Sequence, residues 1–270
     1  MELADKVAVV TGGASGIGRA MAQRFAVEGA RGVVVADLDA EGAQWVAKTI
    51  GAKALAVGCD VGEDAQVLAL IDQAEAVFGR IDLFCANAGI AHGSGLETPD
   101  ADWDTAFDVN VRAHVYAARA LVPGWLERGE GYFFSTASAA GLLTQIGSAP
   151  YAVTKHAALA FAEWLSVTYG DRGLRVSCLC PMGVNTGMLQ AGLDAAGDEG
   201  IGVRVVAAAG EVLEPEDVAG IVVEALRDER FLVLPHPEVL EFFRRKGSDY
   251  DRWLAGMRRL QAYVVGGAES

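Results

Sequence analysis

The sequence predicts an α/β fold in which one doubly wound parallel sheet carries helices on both faces. Three observations point to it. Short apolar runs alternate with longer stretches of helical periodicity from residue 7 to about residue 235. The first four runs are continuously apolar instead of alternating, as happens when both faces of a parallel sheet are covered. The intervening stretches, about 10 residues or longer, are long enough to serve as right-handed crossovers.

In order, a strand at 7–10 is followed by a helix at about 16–28, a strand at 33–36 by a helix at 40–50, and a strand at 54–57 by a helix at about 63–78. The strand at 83–86 precedes a long helical region at about 102–128; the strand at 132–135 precedes a helix at 150–169; a strand at 176–179 follows. Residues 182–212 are rich in Gly and Ala with no clear strand, and read as a substrate loop, because such a segment in a compact domain is usually functional. A helix at 215–228 and a strand at 231–234 come next. The tail at about 237–262 reads as a helical extension, placed over the cleft or on a second subunit, with Leu240, Phe243, Trp253, Leu254, Met257 and Leu260 to bury. With no repeat or low-complexity tract, residues 1–270 read as a single domain.

Bulk properties exclude several functions. A net charge of −14 argues against a nucleic-acid surface, which needs a basic face. It leaves dinucleotides open, because backbone N–H groups hold a pyrophosphate whatever the global charge. Cys59, Cys85, Cys178 and Cys180 lie in or beside apolar runs; Cys178 and Cys180 would share a strand face as small buried hydrophobes. His92, His114, His156 and His236 show no metal-ligand spacing and read as structural or surface residues, so no metal is expected. No signal-like segment and no membrane-length apolar run occur, so the expected location is cytoplasmic with no membrane partner.

Between the first strand and helix lies Thr11-Gly12-Gly13-Ala14-Ser15-Gly16-Ile17-Gly18. Glycines here permit a tight turn, a close backbone approach to a pyrophosphate, and seating of the helix on the sheet. The second strand ends at Asp37, where a carboxylate can bind both ribose hydroxyls or, alternatively, cap the next helix. A 2′-phosphate about 4 Å from that carboxylate would meet a repulsion of roughly 4 kcal/mol per charge pair at an effective dielectric near 20. No Lys or Arg in the turn or just after Asp37 offsets it, so NAD is expected over NADP.

On these motifs the chain resembles the short-chain dehydrogenase/reductase family over residues 6 to about 235. The turn reads TGGASGIG; Cys59-Asp60-Val61 matches the adenine-binding segment; Asn87-Ala88-Gly89 matches the motif after the fourth strand; Asn110, Ser138, Tyr151 and Lys155 match the catalytic tetrad. The resemblance implies a Rossmann fold holding NAD. The implied contacts are Gly12, Ser15, Gly16, Ile17, Gly18, Asp37, Leu38, Asp60, Val61, Asn87, Ala88, Gly89, Tyr151, Lys155, Pro181, Val184 and Thr186. Met182 stands where the family has glycine, so the local backbone is expected to differ or the side chain to enter the site.

The chemistry suits these residue types. Hydride leaves an alcohol carbon only as the hydroxyl proton leaves too, so a base must touch the oxygen. Tyrosine, at about 10, is too weak an acid unless a neighbouring ammonium stabilises the phenolate. Lys155 is one helical turn from Tyr151. Ser138 is expected to hold the substrate oxygen and Asn110 to bind a relay water. The expected substrate is an apolar secondary alcohol or ketone, with Leu142, Gln145, Met182, Met188, Leu189 and His92 as pocket candidates. A carrier-linked β-ketoacyl reductase is the second reading, set back by Asp37 and by the acidic surface. A non-catalytic NAD-binding regulator is the third. The family also implies a homo-oligomer, dimer or tetramer, paired through the helices near 102–128 and 150–169.

Overall fold

Alternate residues of a strand serve opposite faces of a sheet, and here both faces are buried. In β1 (Val7–Thr11), Val7 and Val9 join one core while Ala8 and Val10 join the other. The computed structural model describes residues 1–195 and 200–266, and within them seven strands form one wholly parallel sheet. The others are β2 (Gly32–Asp37), β3 (Ala54–Gly58), β4 (Leu83–Ala86), β5 (Gly131–Thr136), β6 (Leu174–Leu179) and β7 (Leu232–Val233). Their order is β3-β2-β1-β4-β5-β6-β7, so the chain moves outward from β1 to one edge and then returns to β4. The crevice above the C-terminal ends of β1 and β4 is therefore the switch point at which such sheets bind ligands.

On one face pack α1 (Gly16–Val27), α2 (Ala40–Ile50) and α10 (Pro215–Arg227), through Met21, Phe25, Val46, Val218 and Val222. On the other lie α3 (Asp64–Phe78), α5 (Ala113–Arg128) and α7 (Ala149–Tyr169), through Leu70, Leu121, Leu159 and Ala162. The remaining helices are α4 (Asp100–Phe107), α6 (Ala139–Leu142), α8 (Gly187–Asp194), α9 (Ile201–Ala209), α11 (Glu238–Ser248) and α12 (Tyr250–Gly266).

Four elements differ from expectation. The long helical region is α4 and α5 joined by a π-turn at Asp108–Arg112. Segment 182–212 carries α8 and α9, with 196–199 outside the described residues. Thr186 starts α8 by accepting a hydrogen bond from the Leu189 N–H at 3.3 Å, and the scattered glycines hide that helix in the sequence. Strand β7 is shorter than 231–234. The tail is two helices, because Asp249 adopts an extended conformation and its carboxylate accepts from the Arg252 N–H at 3.0 Å, starting a new helix. Residues 267–270 of the expected single domain also lie outside the described residues.

One buried group makes stability depend on pH. His114 on α5 is 1% exposed, and burial, aided by the charge of Lys155, pushes its pKa down to about 3. The unfolded chain, with a value near 6.5, then binds the extra proton between about pH 6.5 and pH 3. This site's stabilisation is complete above that window and falls by about 1.4 kcal/mol per pH unit on acidification within it. Urea unfolding at pH 7 and pH 5 should therefore show a shallower loss for His114→Gln than for the unaltered chain.

Candidate active site

The glycine turn leaves β1 at Thr11, whose hydroxyl accepts from the N–H groups of Asn87 (2.9 Å) and Ala88 (3.1 Å). The Asn87 side chain returns a bond to the Thr11 carbonyl at 3.0 Å and accepts from the Thr136 hydroxyl at 3.0 Å, joining the ends of β1, β4 and β5. This packing admits no side chain at two glycines. A Cβ on Gly18 would lie 2.0 Å from the Gly12 carbonyl oxygen, and one on Gly12, itself at φ +64°, would lie 2.9 Å from the Ala88 Cα. Ser15 precedes α1 without capping it through its side chain, and the first turn holds no acid. The N-terminal N–H groups and positive dipole end are thus left to an anion.

Asp37 ends β2, half-buried. One carboxylate oxygen accepts from the Ala14 N–H at 2.9 Å and the other from the Asp39 N–H at 3.0 Å. Asp39, not Asp37, caps α2, accepting from the Gly42 N–H at 3.0 Å. Each oxygen of Asp37 keeps a lone pair for a hydroxyl.

These groups open into one cleft of about 1540 Å³, above the roughly 300–1,000 Å³ of ordinary ligand pockets and large enough for a dinucleotide and a second molecule together. Gly12, Ser15, Gly16, Ile17, Gly18, Asp37, Leu38, Asp60, Val61, Asn87, Ala88, Gly89, Tyr151, Lys155, Pro181, Val184 and Thr186 all line it, as does Ser138. The basic residues lining it are Lys155, Arg245, Arg252 and Arg259, none of them on the glycine turn or at the end of β2.

Tyr151 and Lys155 share the cleft face of α7, with the Lys155 Nζ 5.7 Å from the Tyr151 ring centroid. The ammonium donates to the Thr136 carbonyl at 2.9 Å. Burial pushes Lys155 down to about 8. It pushes the Tyr151 phenol up, an effect partly opposed by the nearby Ser138 hydroxyl. Desolvation is the largest influence on the phenol. Ser138 begins α6, its hydroxyl accepting from the Ala140 N–H at 3.1 Å.

Asn110 lies beneath the cleft instead of in it. It sits fully buried inside the π-turn; its side-chain oxygen accepts from the Ile90 N–H at 2.9 Å, and its amide donates to the Ile90 carbonyl at 2.9 Å and the Thr154 hydroxyl at 3.0 Å. Those bonds occupy the side chain, so it braces the segment after β4. A Cβ on Gly89 would stand 3.0 Å from the Lys155 Nζ and 3.2 Å from the Asn110 Oδ1, so glycine keeps the lysine's space open.

His92, Gln145, Met182, Met188 and Leu189 line the substrate end, whereas Leu142 faces the core and its neighbour Leu143 faces the cleft. The Gln145 amide is committed to the Gly202 carbonyl at 2.9 Å. Met182 has no positive φ, so glycine is not required there; its N–H donates to the His236 Nδ1 at 3.1 Å. The roof over this end, to which Trp253, Met257 and Leu260 of α12 contribute, is one of the two placements expected for the tail. The apolar positions of the tail were its signal, but they could not say which surface they cover.

A glycine cradle at the switch point, facing a tyrosine–lysine pair, places the chain among the oxidoreductases of the dinucleotide-binding fold. Comparison with known proteins narrows this. The family model for short chain dehydrogenase matches residues 6–196. The chain is 42% identical over 245 residues to 1-deoxy-11-beta-hydroxypentalenate dehydrogenase of Streptomyces exfoliatus, covering 88% of this chain and 86% of that protein. A short chain dehydrogenase/reductase from Burkholderia phymatum in complex with NAD superposes with a TM-score of 0.85 at 33% identity, covering 93% of this chain and 96% of that one. The 3-ketoacyl-(acyl-carrier-protein) reductase of Brucella melitensis, complexed with NADH, gives 0.75 at 29% identity, covering 86% and 96%. The chain belongs to the short-chain dehydrogenase/reductase family.

Proposed function

We propose that the protein is an NAD-dependent oxidoreductase that interconverts a secondary alcohol and its ketone on an apolar skeleton. The observation that carries this is the shared cleft: Tyr151, Lys155 and Ser138 face the space into which the glycine turn and Asp37 open. The residues fit the dinucleotide. The first turn of α1 receives the pyrophosphate, Asp37 the adenosine ribose, Asp60 and Val61 the adenine side, and Pro181, Val184 and Thr186 the nicotinamide side. When bound, NAD supplies the carbon that accepts the hydride and, in its oxidised form, a positive ring.

The chain's own residues handle the proton and the alignment. Ser138 and Tyr151 hold the alcohol oxygen. As the hydride leaves the carbon, the hydroxyl proton passes to the Tyr151 oxygen, the C–O bond becomes a carbonyl, and the ketone departs. Lys155 stabilises the phenolate and binds the nicotinamide ribose. In the reverse direction Tyr151 returns the proton to the ketone oxygen. Leu143, Ile146, Met188, Leu189, Val203 and Met257 give the substrate end an apolar lining that excludes water.

Incubation with NAD and a panel of aliphatic, terpene and steroid secondary alcohols at mildly alkaline pH tests the reading. NADH formation with at least one is expected, and none across the panel overturns it. A β-ketoacyl substrate remains the second reading, since the Brucella relative was captured with NADH and the carboxylate at Asp37 therefore does not count against it.

The protein is further expected to self-associate as a dimer or tetramer. Helix α7 leaves Val153, Trp164 and Val167 exposed, the last 87% so, on the side away from the core. Such an apolar stripe favours burial against a second copy. Light scattering at micromolar concentration should give a mass of at least two chains; a monomer would refute this. The unpaired, buried cysteines suit a reducing compartment, and we assign the enzyme to the cytoplasm. Among the described residues no helix is long and apolar enough to cross a membrane.

A further inference from the structure

Lysine side chains are seldom buried without compensation, because desolvating an ammonium is costly. Lys246 on α11 is 7% exposed, and among the described residues no carboxylate pairs with it. Its ammonium instead donates to the carbonyls of Leu142 at 2.8 Å and Leu143 at 2.9 Å. It also lies 5.5 Å from the Tyr250 ring centroid and 5.2 Å from that of Trp253, within cation–π range of both.

The two carbonyls are at the C-terminal end of α6, where backbone oxygens lack helical partners and a cation is favoured. The Ser138 end of α6 is anchored separately: the Ala139 N–H donates to the Pro181 carbonyl at 2.8 Å and the Ala137 N–H to the Leu179 carbonyl at 2.9 Å. What depends on Lys246 is the next stretch, Leu143, Thr144, Gln145 and Ile146, which walls the substrate end of the cleft. That wall includes Thr144 at φ +145°, a backbone conformation seldom adopted outside glycine. Ile146 packs with Ile201, Val205, Met257 and Leu260, so wall, α9 and α12 share one small apolar cluster. Lys246 joins the wall to the start of α12 by its polar bonds and by its contacts with Tyr250 and Trp253.

Given the alcohol–ketone reading of the cleft, we propose that Lys246 is a positioning residue that latches the α11–α12 roof onto the 143–146 wall and thereby sets selectivity for alcohols large enough to reach α12. Its partners are about a hundred residues distant in sequence, at separations of 104 and 103 positions. The latch acts through the shape of the apolar chamber and touches neither the reacting atoms nor the cofactor.

The test compares the unaltered enzyme with Lys246→Met, which keeps the aliphatic stem on the two rings and removes every N–H donor, and with Lys246→Arg, which retains donors. Two secondary alcohols are used: cyclohexanol, and the fused-ring 2-decalol, which is longer by a second ring. For Lys246→Met, kcat/KM with 2-decalol is expected to fall at least tenfold, chiefly through KM, and at least fivefold more than with cyclohexanol. Lys246→Arg should lie closer to the unaltered enzyme. Amide hydrogen exchange should quicken at 142–146 and 250–257 and stay unchanged in β1, β4 and β5. Equal losses on both alcohols, with faster exchange in the strands, would reduce Lys246 to a general stability role and overturn the proposal. So would unchanged selectivity with unchanged exchange. If the unaltered enzyme oxidises neither alcohol, nor any of the wider panel, the functional reading fails, and the exchange measurement alone still decides whether the latch exists.

Discussion

Replacing Tyr151 with phenylalanine is expected to lower kcat for alcohol oxidation about 10³-fold, the middle of the range for losing a positioned acid–base group. NAD affinity should stay within about threefold, because the ring that faces the Lys155 ammonium at 5.7 Å is retained. The loss should appear equally in kcat and kcat/KM, as it does for an interaction made only in the transition state. A second signature comes from pH. Burial pushes the phenol up, so oxidation by the unaltered enzyme should accelerate as pH rises above neutrality, and ketone reduction should slow. The residual activity of Tyr151→Phe should lack that rise. NADH absorbance for turnover and fluorescence titration for NAD binding separate these effects. Undiminished turnover with intact binding would remove Tyr151 from the chemistry and revive the view of the chain as a non-catalytic NAD-binding protein.

Asp37→Ser should move cofactor preference toward NADP by about 10³ in the ratio of kcat/KM values, corresponding to the roughly 4 kcal/mol of repulsion removed at an effective dielectric near 20. Part of the change will be lost NAD efficiency. The carboxylate that would hold the ribose also ties down the Ala14 and Asp39 N–H groups, so the serine variant loosens the glycine turn as well. Kinetics with both cofactors distinguish the two contributions: loosening harms NAD and NADP alike, whereas charge removal favours NADP alone. An unchanged ratio would mean that Asp37 does not meet the ribose.

How much of this was legible in the sequence depended on how local each cause is. The strands were readable because runs such as Val33-Val34-Val35-Ala36 are short, β-branched and apolar at every position, as strands of a sheet covered on both faces are. The glycine turn and the Tyr151–Lys155 spacing were readable for the same reason: each requirement is met within a few residues. Asp37 and Asp39 were harder, since both stand before α2, and only three dimensions show which one caps it. Leu142 and Leu143 exchanged roles because a helix as short as α6 leaves no periodicity to read. Asn110 stood out in the sequence, but the bonds its side chain makes are to Ile90 and Thr154, partners that no spacing rule supplies. Lys246 was invisible: a lysine in an amphipathic tail reads as solvent-facing until its distant carbonyls and rings are seen.

The π-turn at Asp108–Arg112 has a further consequence, for how this chain can change over time. It amounts to one extra residue carried inside an otherwise continuous helix, and each residue of an α-helix turns its successor by about 100°. The wide turn absorbs that angle, so Asp102 of α4 stays on the cleft rim while Ala117 and Leu121 of α5 stay in the core. A single residue can therefore be gained or lost at this turn without rotating either flanking helix, whereas the same change elsewhere in α4 or α5 would swing one wall of the cleft by about 100°.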